Sequence, residues 1–196
     1  AQESRGLGDV YKRQVLVTRD PKEILAADKV VLPGVGSFGD AMENLHHFGL
    51  VPVIHQVVQE QTPFLGICLG LQLLFEKSEE SPGVEGLGIL KGEILRIPAA
   101  EGLKIPHMGW NNIRFPNKGR LFAGVPEDAY VYFVHSYYLK AQDEKIVTAT
   151  TEYGTHIHAS VESGNLFACQ FHPEKSSHVG LQILKNFAKL EGKGGR

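Results

Sequence analysis

The sequence of 196 residues has few of the features that mark secreted, membrane or nucleic-acid-binding proteins. It contains two cysteines and one tryptophan, and its formal net charge is −2. Two cysteines offer no disulfide framework, and so small a charge gives no electrostatic reason to expect a nucleic-acid or membrane partner. No apolar run reaches the roughly 18 residues that a membrane-spanning helix needs. We therefore expect a cytoplasmic protein with one folded domain.

The first chemical motif is a cysteine flanked by glycines, Gly66-Ile67-Cys68-Leu69-Gly70. Residues 62–67 form an apolar run typical of a buried strand, and residues 69–77 have the apolar spacing of a helix. Cys68 is therefore predicted on a strand-to-helix turn, where a nucleophile elbow holds its nucleophile. The dipole of the following helix favours the thiolate, which is the reactive form. Alone, the pattern also fits a tight strand–helix junction without chemistry.

The second motif, Gln170-Phe171-His172-Pro173-Glu174, follows an apolar run at residues 166–169 that predicts a strand. His172 has the chemistry of a general base for a thiol, and Glu174 that of a carboxylate that orients the imidazole. Since 104 residues separate Cys68 from His172 (172 − 68), only the fold can bring them together. Alone, the histidine would be interpreted as structural. Beside the cysteine motif it predicts a Cys-His-Glu triad.

These two motifs resemble the signatures of the class I glutamine amidotransferases. Three further stretches narrow the resemblance to the glutaminase subunits of imidazole glycerol phosphate synthases: PHMGWN at residues 106–111, FVHSY at 133–137 and KSS at 175–177. The resemblance implies an α/β fold of the flavodoxin-like type, with a mainly parallel sheet flanked by helices and an antiparallel β segment in the middle of the chain. It also implies that L-glutamine is hydrolysed through a cysteinyl thioester, and that the ammonia reaches a partner synthase barrel in histidine biosynthesis.

The resemblance assigns further roles by position. The oxyanion hole would be formed at Gly34, Val35, Gly36 and Leu69, with the amides of Val35 and Leu69 as donors. Substrate would be held by Gln72, Glu80, Ser136 and Tyr137. In a heterodimer with the synthase barrel, the interface would include His107, Met108, Trp110, Asn111, Tyr132, His135 and Lys175.

We expect neither a cofactor nor a metal. Residues 34–39 (GVGSFG) fit the G-x-G-x-x-G fingerprint of dinucleotide sites. That fingerprint also needs an acidic residue about 20 positions later, at the end of the next strand, whereas Glu60 lies in a helical pattern. The loop is therefore better explained as part of the oxyanion hole. The histidines at 46–47 and at 156 and 158 have no nearby third ligand in the sequence, which argues against a metal site.

The pattern along the chain alternates between strands and helices. Strands are predicted at residues 15–18, 29–32, 146–151 and 157–161, and helices at 40–47, 51–61 and 180–190. Residues 93–134 have short apolar runs broken by proline and glycine, which favour antiparallel strands and loops. This alternation is typical of a mainly parallel sheet covered on both faces.

The start of the chain departs from the resemblance, which begins at about Val15 and extends to Leu190. Residues 1–14 (AQESRGLGDVYKRQ) lack the hydrophobic strand and loop with which such subunits open. We hypothesise that these residues are foreign to the gene, that residues 15–190 form the amidotransferase domain, and that residues 191–196 form a flexible tail. Two alternatives stay open: a glutaminase that supplies a different synthase, and an interaction subunit whose catalysis is impaired by the missing strand.

Overall fold

A computed structural model of the chain describes residues 14–193. Five helices are described: α1 (Pro21–Ala26), α2 (Phe38–His47), α3 (Leu50–Gln59), α4 (Leu69–Leu73) and α5 (Ser177–Lys189). The strands of the same part of the chain are β1 (Val30–Leu32), β2 (Phe64–Ile67), β3 (Lys77–Ser78), β4 (Gly92–Arg96), β5 (His107–Asn112), β6 (Tyr130–His135), β7 (Tyr137–Ala141), β8 (Val147–Glu152), β9 (His156–Ser163) and β10 (Leu166–Cys169). None of these helices is long and apolar enough to cross a membrane.

The main sheet has the strand order β1-β2-β10-β9-β8. β2 pairs in parallel with both β1 and β10, whereas β9 pairs antiparallel with β10 and β8. Two smaller sheets, β3-β4-β7 and β5-β6, contain the antiparallel strands of the middle of the chain. The predicted α/β class and the antiparallel middle segment are confirmed, and the main sheet is mixed.

The central strands are apolar at every position because helices cover both faces of the sheet. All residues of β2 and β10 are buried. Side chains alternate between the faces: Phe64 and Leu166 join the hydrophobic cluster beside α2 and α3, whereas Leu65 and Phe167 join the cluster beside α5. The two clusters together hold β2 and β10 at the centre of the fold.

Two predicted elements differ from the structure. Residues 15–18 form no strand, and the side chains of Val15, Leu16 and Val17 are exposed. In the described part of the chain, β1 pairs with β2 alone, so no neighbouring strand holds this segment. The helix predicted over residues 69–77 ends at Leu73, because the chain then turns and Lys77 pairs with β4.

The domain boundaries stay predictions. Residues 1–13 and 194–196, which carry most of the proposed foreign segment and part of the proposed tail, lie outside the described residues.

Candidate active site

Cys68 lies on a strained turn between β2 and α4. Its backbone angles are φ 56° and ψ −109°, a combination that non-glycine residues rarely adopt. A Cβ on Gly70 would lie 1.9 Å from the carbonyl oxygen of Leu32, and one on Gly66 would lie 2.8 Å from that of Gly70. Gly70 therefore lets the turn pack directly against β1, and Gly66 lets the end of β2 pack against the start of α4. The cysteine side chain is half-buried at the end of the strand, as the sequence pattern predicted for an elbow.

His172 reaches Cys68 because β10 is the parallel neighbour of β2. Cys169 pairs with Ile67 in the sheet register, and the amide of Cys68 donates to the carbonyl of Cys169 at 2.7 Å. Both motifs therefore leave the sheet at the same edge. The His172 side chain interacts with Cys68, which helps to raise the pKa of the imidazole, and its Nδ1 lies 2.5 Å from Oε1 of Glu174. The side chains of Cys68, His172 and Glu174, which come from two distant motifs, thus lie next to one another in a row.

The electrostatics of this cluster favour a protonated imidazole. Burial lowers the pKa of His172, but its hydrogen bonds to Cys68 and Glu174, and the charges of those two groups, outweigh burial and raise the pKa to about 9. The Glu174 carboxylate is nearly buried, and its second oxygen, Oε2, has no hydrogen-bond partner among the described residues. The negative charge of Glu174 therefore acts chiefly on the imidazole of His172.

The glycine loop that follows β1 lies against the elbow. A Cβ on Gly34 would be 2.8 Å from the Cβ of Leu69, which places the two backbones in close contact. Gly36 has φ 91°, and the Val35 side chain between the two glycines is 90% exposed. The structure thus places Gly34 against Leu69, and Val35 and Gly36 follow Gly34 directly in the chain. Whether their amides bind an oxyanion stays a prediction.

The four residues predicted to bind substrate lie in two groups. Gln72, one turn after Cys68, donates through Nε2 to the carbonyl of Tyr137 at 3.1 Å. Ser136 adjoins Tyr137, and its own carbonyl accepts from Ile97. Glu80 lies apart from this group, because its carboxylate accepts from the amide of Phe38 at 2.7 Å, at the start of α2. It therefore stabilises the exit of the glycine loop.

The residues predicted for a partner interface divide into exposed and buried ones. Met108 and Trp110 on β5 are more than half exposed, Lys175 is exposed, and the Trp110 ring meets that of Tyr132 edge to face. His107 and His135, opposite each other in the β5–β6 register, are buried.

Two residues of interest were missed in the sequence. Tyr130 is 59% exposed and precedes Tyr132 by two positions on β6, so strand alternation places it on the same face. Gln170 is fully buried, and its Nε2 lies 3.6 Å from the Sγ of Cys68. Its position two residues before His172 on an extended segment was the available signal.

The two buried histidines continue a hydrogen-bonded chain toward Gln72. The Asn111 amide nitrogen lies 3.3 Å from His107 Nε2, His107 Nδ1 lies 2.9 Å from His135 Nε2, and His135 Nδ1 lies 2.8 Å from the Tyr137 carbonyl. The carbonyl can only accept and the amide nitrogen can only donate. Both rings are therefore neutral and carry their hydrogen on Nδ1. Burial, the main cause in each case, lowers the pKa of His107 to about 4 and that of His135 to about 3.

We expect this histidine pair to make the fold sensitive to mild acid. The ordinary pKa of histidine is 6.5. As the pH falls below 6.5, these histidines therefore become protonated in the unfolded chain while they stay neutral in the folded one. The free energy of unfolding should then fall by up to about 1.4 kcal/mol per pH unit for each histidine. His172 acts in the opposite direction, because its raised pKa stabilises the fold fully below pH 6.5 and this contribution is lost as the pH rises through about 9.

Urea unfolding at about pH 7 and about pH 5 measures this effect. His107→Asn should reduce the difference between the two pH values, and His47→Asn, at an exposed position, controls for the substitution itself. A free energy of unfolding equal at both pH values would contradict the prediction.

Comparison with known proteins gives one consistent result. Residues 7–190 match the family described as Glutamine amidotransferase class-I. The chain is 57% identical over 176 residues to the imidazole glycerol phosphate synthase subunit HisH of Moorella thermoacetica, which covers 90% of this chain and 83% of that protein. It is 48% identical to the subunit of the same name from Methanocaldococcus jannaschii, covering 90% and 88% of the two chains.

Among solved structures, the fold is similar to that of a glutamine amidotransferase, with a TM-score of 0.72 and 18% identity over 96% of this chain and 94% of that one. The glutaminase domain of Trypanosoma brucei CTPS, solved with bound acivicin, has a TM-score of 0.67 and 17% identity, covering 97% and 87% of the two chains. At these identities the likeness concerns the fold alone.

Proposed function

This chain belongs to the class I glutamine amidotransferases, and we propose that it is the glutaminase subunit of an imidazole glycerol phosphate synthase. In that role it hydrolyses L-glutamine to glutamate and ammonia. The observation that carries the assignment of the site is the contact between Cys68, on its strained turn, and the His172–Glu174 pair. A cysteine on such a turn beside a carboxylate-bound histidine has the arrangement of an activated nucleophile.

The reaction follows from these positions. The Cys68 sulfur attacks the side-chain amide carbon of glutamine, and the proton that the thiol gives up is held on His172. The negative charge on the former carbonyl oxygen is stabilised by the amides of Val35 and Leu69, which lie on the two contacting backbones. His172 then protonates the departing nitrogen, ammonia leaves, and a γ-glutamyl thioester remains. Water, deprotonated by His172, hydrolyses the thioester to glutamate and restores the thiol.

Substrate binding uses the groups beside the elbow. Both hydrogens of the Gln72 side-chain amide are committed, to the Tyr137 carbonyl and to Oε1 of Gln170. Only its own oxygen is left, so Gln72 accepts a hydrogen bond from the substrate. The Glu80 carboxylate bonds Phe38 through one oxygen and offers negative charge to the substrate's α-ammonium group. Ser136 and Tyr137, which lie beside Gln72, are the remaining groups that we assign to substrate binding.

The partner of this subunit is a synthase barrel that consumes the ammonia in histidine biosynthesis, in the cytoplasm. The surface that we assign to it lies on β5 and β6, with the exposed Met108 and Trp110 and the half-buried Tyr132 at its centre and Lys175 beside the triad. Aromatic side chains of this kind are enriched among the residues that dominate binding energy at protein interfaces. Asn111 lies on the same strands, and His107 and His135 contribute from beneath them.

Ammonia release from L-glutamine tests this function. It is measured for the chain alone, and for the chain with a synthase barrel subunit and the nucleotide that the barrel binds. We expect strong activation by the partner and its ligand, and complete loss in Cys68→Ala. Partner-dependent activity that survives in Cys68→Ala would contradict the assignment of the nucleophile. A folded chain that stays inactive with the partner would contradict the subunit assignment.

A further inference from the structure

Gln170 is a buried polar residue that the proposed reaction does not use. It follows directly after β10 and is 0% exposed. Its backbone amide donates to the carbonyl of Ala159 at 2.8 Å, which continues the pairing with β9. A primary amide placed so deeply costs stability unless its donors and acceptor find partners. The partners of this side chain are Gln72 and Cys68.

The orientation of the Gln170 amide follows from its neighbours. The Tyr137 carbonyl can only accept, so the Gln72 atom that faces it at 3.1 Å must be the amide nitrogen. That same nitrogen lies 3.0 Å from Gln170 and donates to it, so the atom of Gln170 at this contact is the oxygen. The nitrogen of Gln170 must then face Cys68, at 3.6 Å from Sγ. The donor at the sulfur is thus determined by two hydrogen bonds further along the network.

The surroundings of the sulfur make this donor consequential. The Val134 carbonyl lies 3.8 Å from Sγ and accepts a hydrogen bond from the protonated thiol. That contact stabilises the neutral form and offers nothing to the thiolate. Gln170 does the opposite, because an N–H group at the sulfur stabilises negative charge. The sulfur thus lies between one group that favours the thiol and one that favours the thiolate.

We propose that Gln170 is a positioning residue for Cys68: its side-chain amide donates to Sγ, holds the sulfur on the strained turn and favours the thiolate. The inference rests on the proposed role of Cys68 as nucleophile. Gln72 supports it indirectly, by keeping the Gln170 nitrogen turned toward the sulfur. Gln72 would therefore orient Gln170 in addition to binding substrate.

Alkylation of Cys68 by iodoacetamide tests the proposal without using glutamine. The rate is followed across pH by mass spectrometry of the peptide that contains Cys68, which separates it from the fully buried Cys169. In Gln170→Met, which is close in size but has no donor, the pH midpoint of alkylation should rise by roughly one unit. Gln170→Glu keeps the acceptor for Gln72 and places negative charge at the sulfur, so its midpoint should rise further. Unchanged midpoints in the folded variants would overturn the proposal.

A second measurement needs no folded Gln170 variant. In the unaltered chain labelled with 15N-glutamine, the side-chain amide signals of Gln170 should shift with the same pH midpoint as Cys68 alkylation. The same signals in Cys68→Ala should lose that transition. Gln170 signals that do not respond to Cys68 ionisation would also overturn the proposal. If Cys68→Ala abolishes ammonia release but the Gln170 signals of the unaltered chain do not shift with pH, the positioning role fails and the proposed function stands. If the signals respond and Cys68→Ala still releases ammonia, the hydrogen bond from Gln170 to the sulfur stands, and the assignment of Cys68 as nucleophile fails.

Discussion

Replacing His172 with asparagine is expected to lower kcat for ammonia release by at least about a thousandfold in the presence of the partner. The variant loses the group that, in the proposed reaction, holds the proton of Cys68 and delivers it to the departing nitrogen. It also leaves Glu174 nearly buried without the histidine at its Oε1, while Oε2 has no partner among the described residues. Steady-state ammonia release with saturating glutamine measures the loss.

The matched control is His178→Asn, because His178 is exposed on α5 a few residues away and contributes nothing to the proposed chemistry. It should retain the kcat of the unaltered chain. Glu174→Gln should fall between the two, since it keeps the histidine but removes the charge that raises the pKa of His172. A His172→Asn variant that is folded and within tenfold of the unaltered chain would contradict the triad.

The elbow, and the place of Cys68 and His172 at the ends of strands, could be predicted from the sequence because each depends on short local patterns. An apolar run followed by glycine, cysteine and a helical spacing indicates a strand-to-helix turn, whatever surrounds it. His172 could be added because it too follows an apolar run. In a sheet, parallel neighbours such as β2 and β10 bring their carboxyl ends to one edge.

The network beneath the site could not be predicted, because it depends on which strands pair. His107 and His135 are polar, and nothing in the sequence around them predicts that they are buried. The β5–β6 register nevertheless places them opposite each other, and both are buried. The orientation of the Gln170 side chain depends on a hydrogen bond from Gln72, which is 98 residues away in the chain. Local patterns likewise overestimated α4, whose end is determined by the pairing of Lys77 with β4. Long-range pairing therefore accounts for these differences.

Gly70→Ala should damage both the fold and the reaction, although alanine ordinarily favours a helix over glycine by about 1 kcal/mol. The added Cβ would lie 1.9 Å from the Leu32 carbonyl oxygen, and this neighbour is backbone that cannot rotate away. Either β1 or the start of α4 must move. We expect the free energy of unfolding to fall by about 1–3 kcal/mol, in the range of overpacked cores.

The displacement should also slow the reaction, because both of the segments that move contain groups of the proposed active site. Leu32 is the last residue of β1 and leads directly into the glycine loop, while Gly70 follows Cys68 by two residues. A shift between them separates the sulfur from the amide of Val35, and a misplacement of about 1 Å typically costs on the order of a hundredfold in rate. The folded fraction of the variant, assayed for ammonia release with the partner, should show this loss in kcat.

Gly102→Ala separates the clash from the effect of adding a methyl group. A Cβ at Gly102 meets no atom within 4 Å, and its φ of 77° costs only backbone strain of about 1–2 kcal/mol. It lies outside the elbow, so ammonia release per folded molecule should stay unchanged. If Gly70→Ala behaves like Gly102→Ala in both stability and kcat, the close approach of the elbow to β1 is not required. If kcat alone collapses in Gly70→Ala, the contact between β1 and α4 serves chiefly to align the sulfur with the glycine loop.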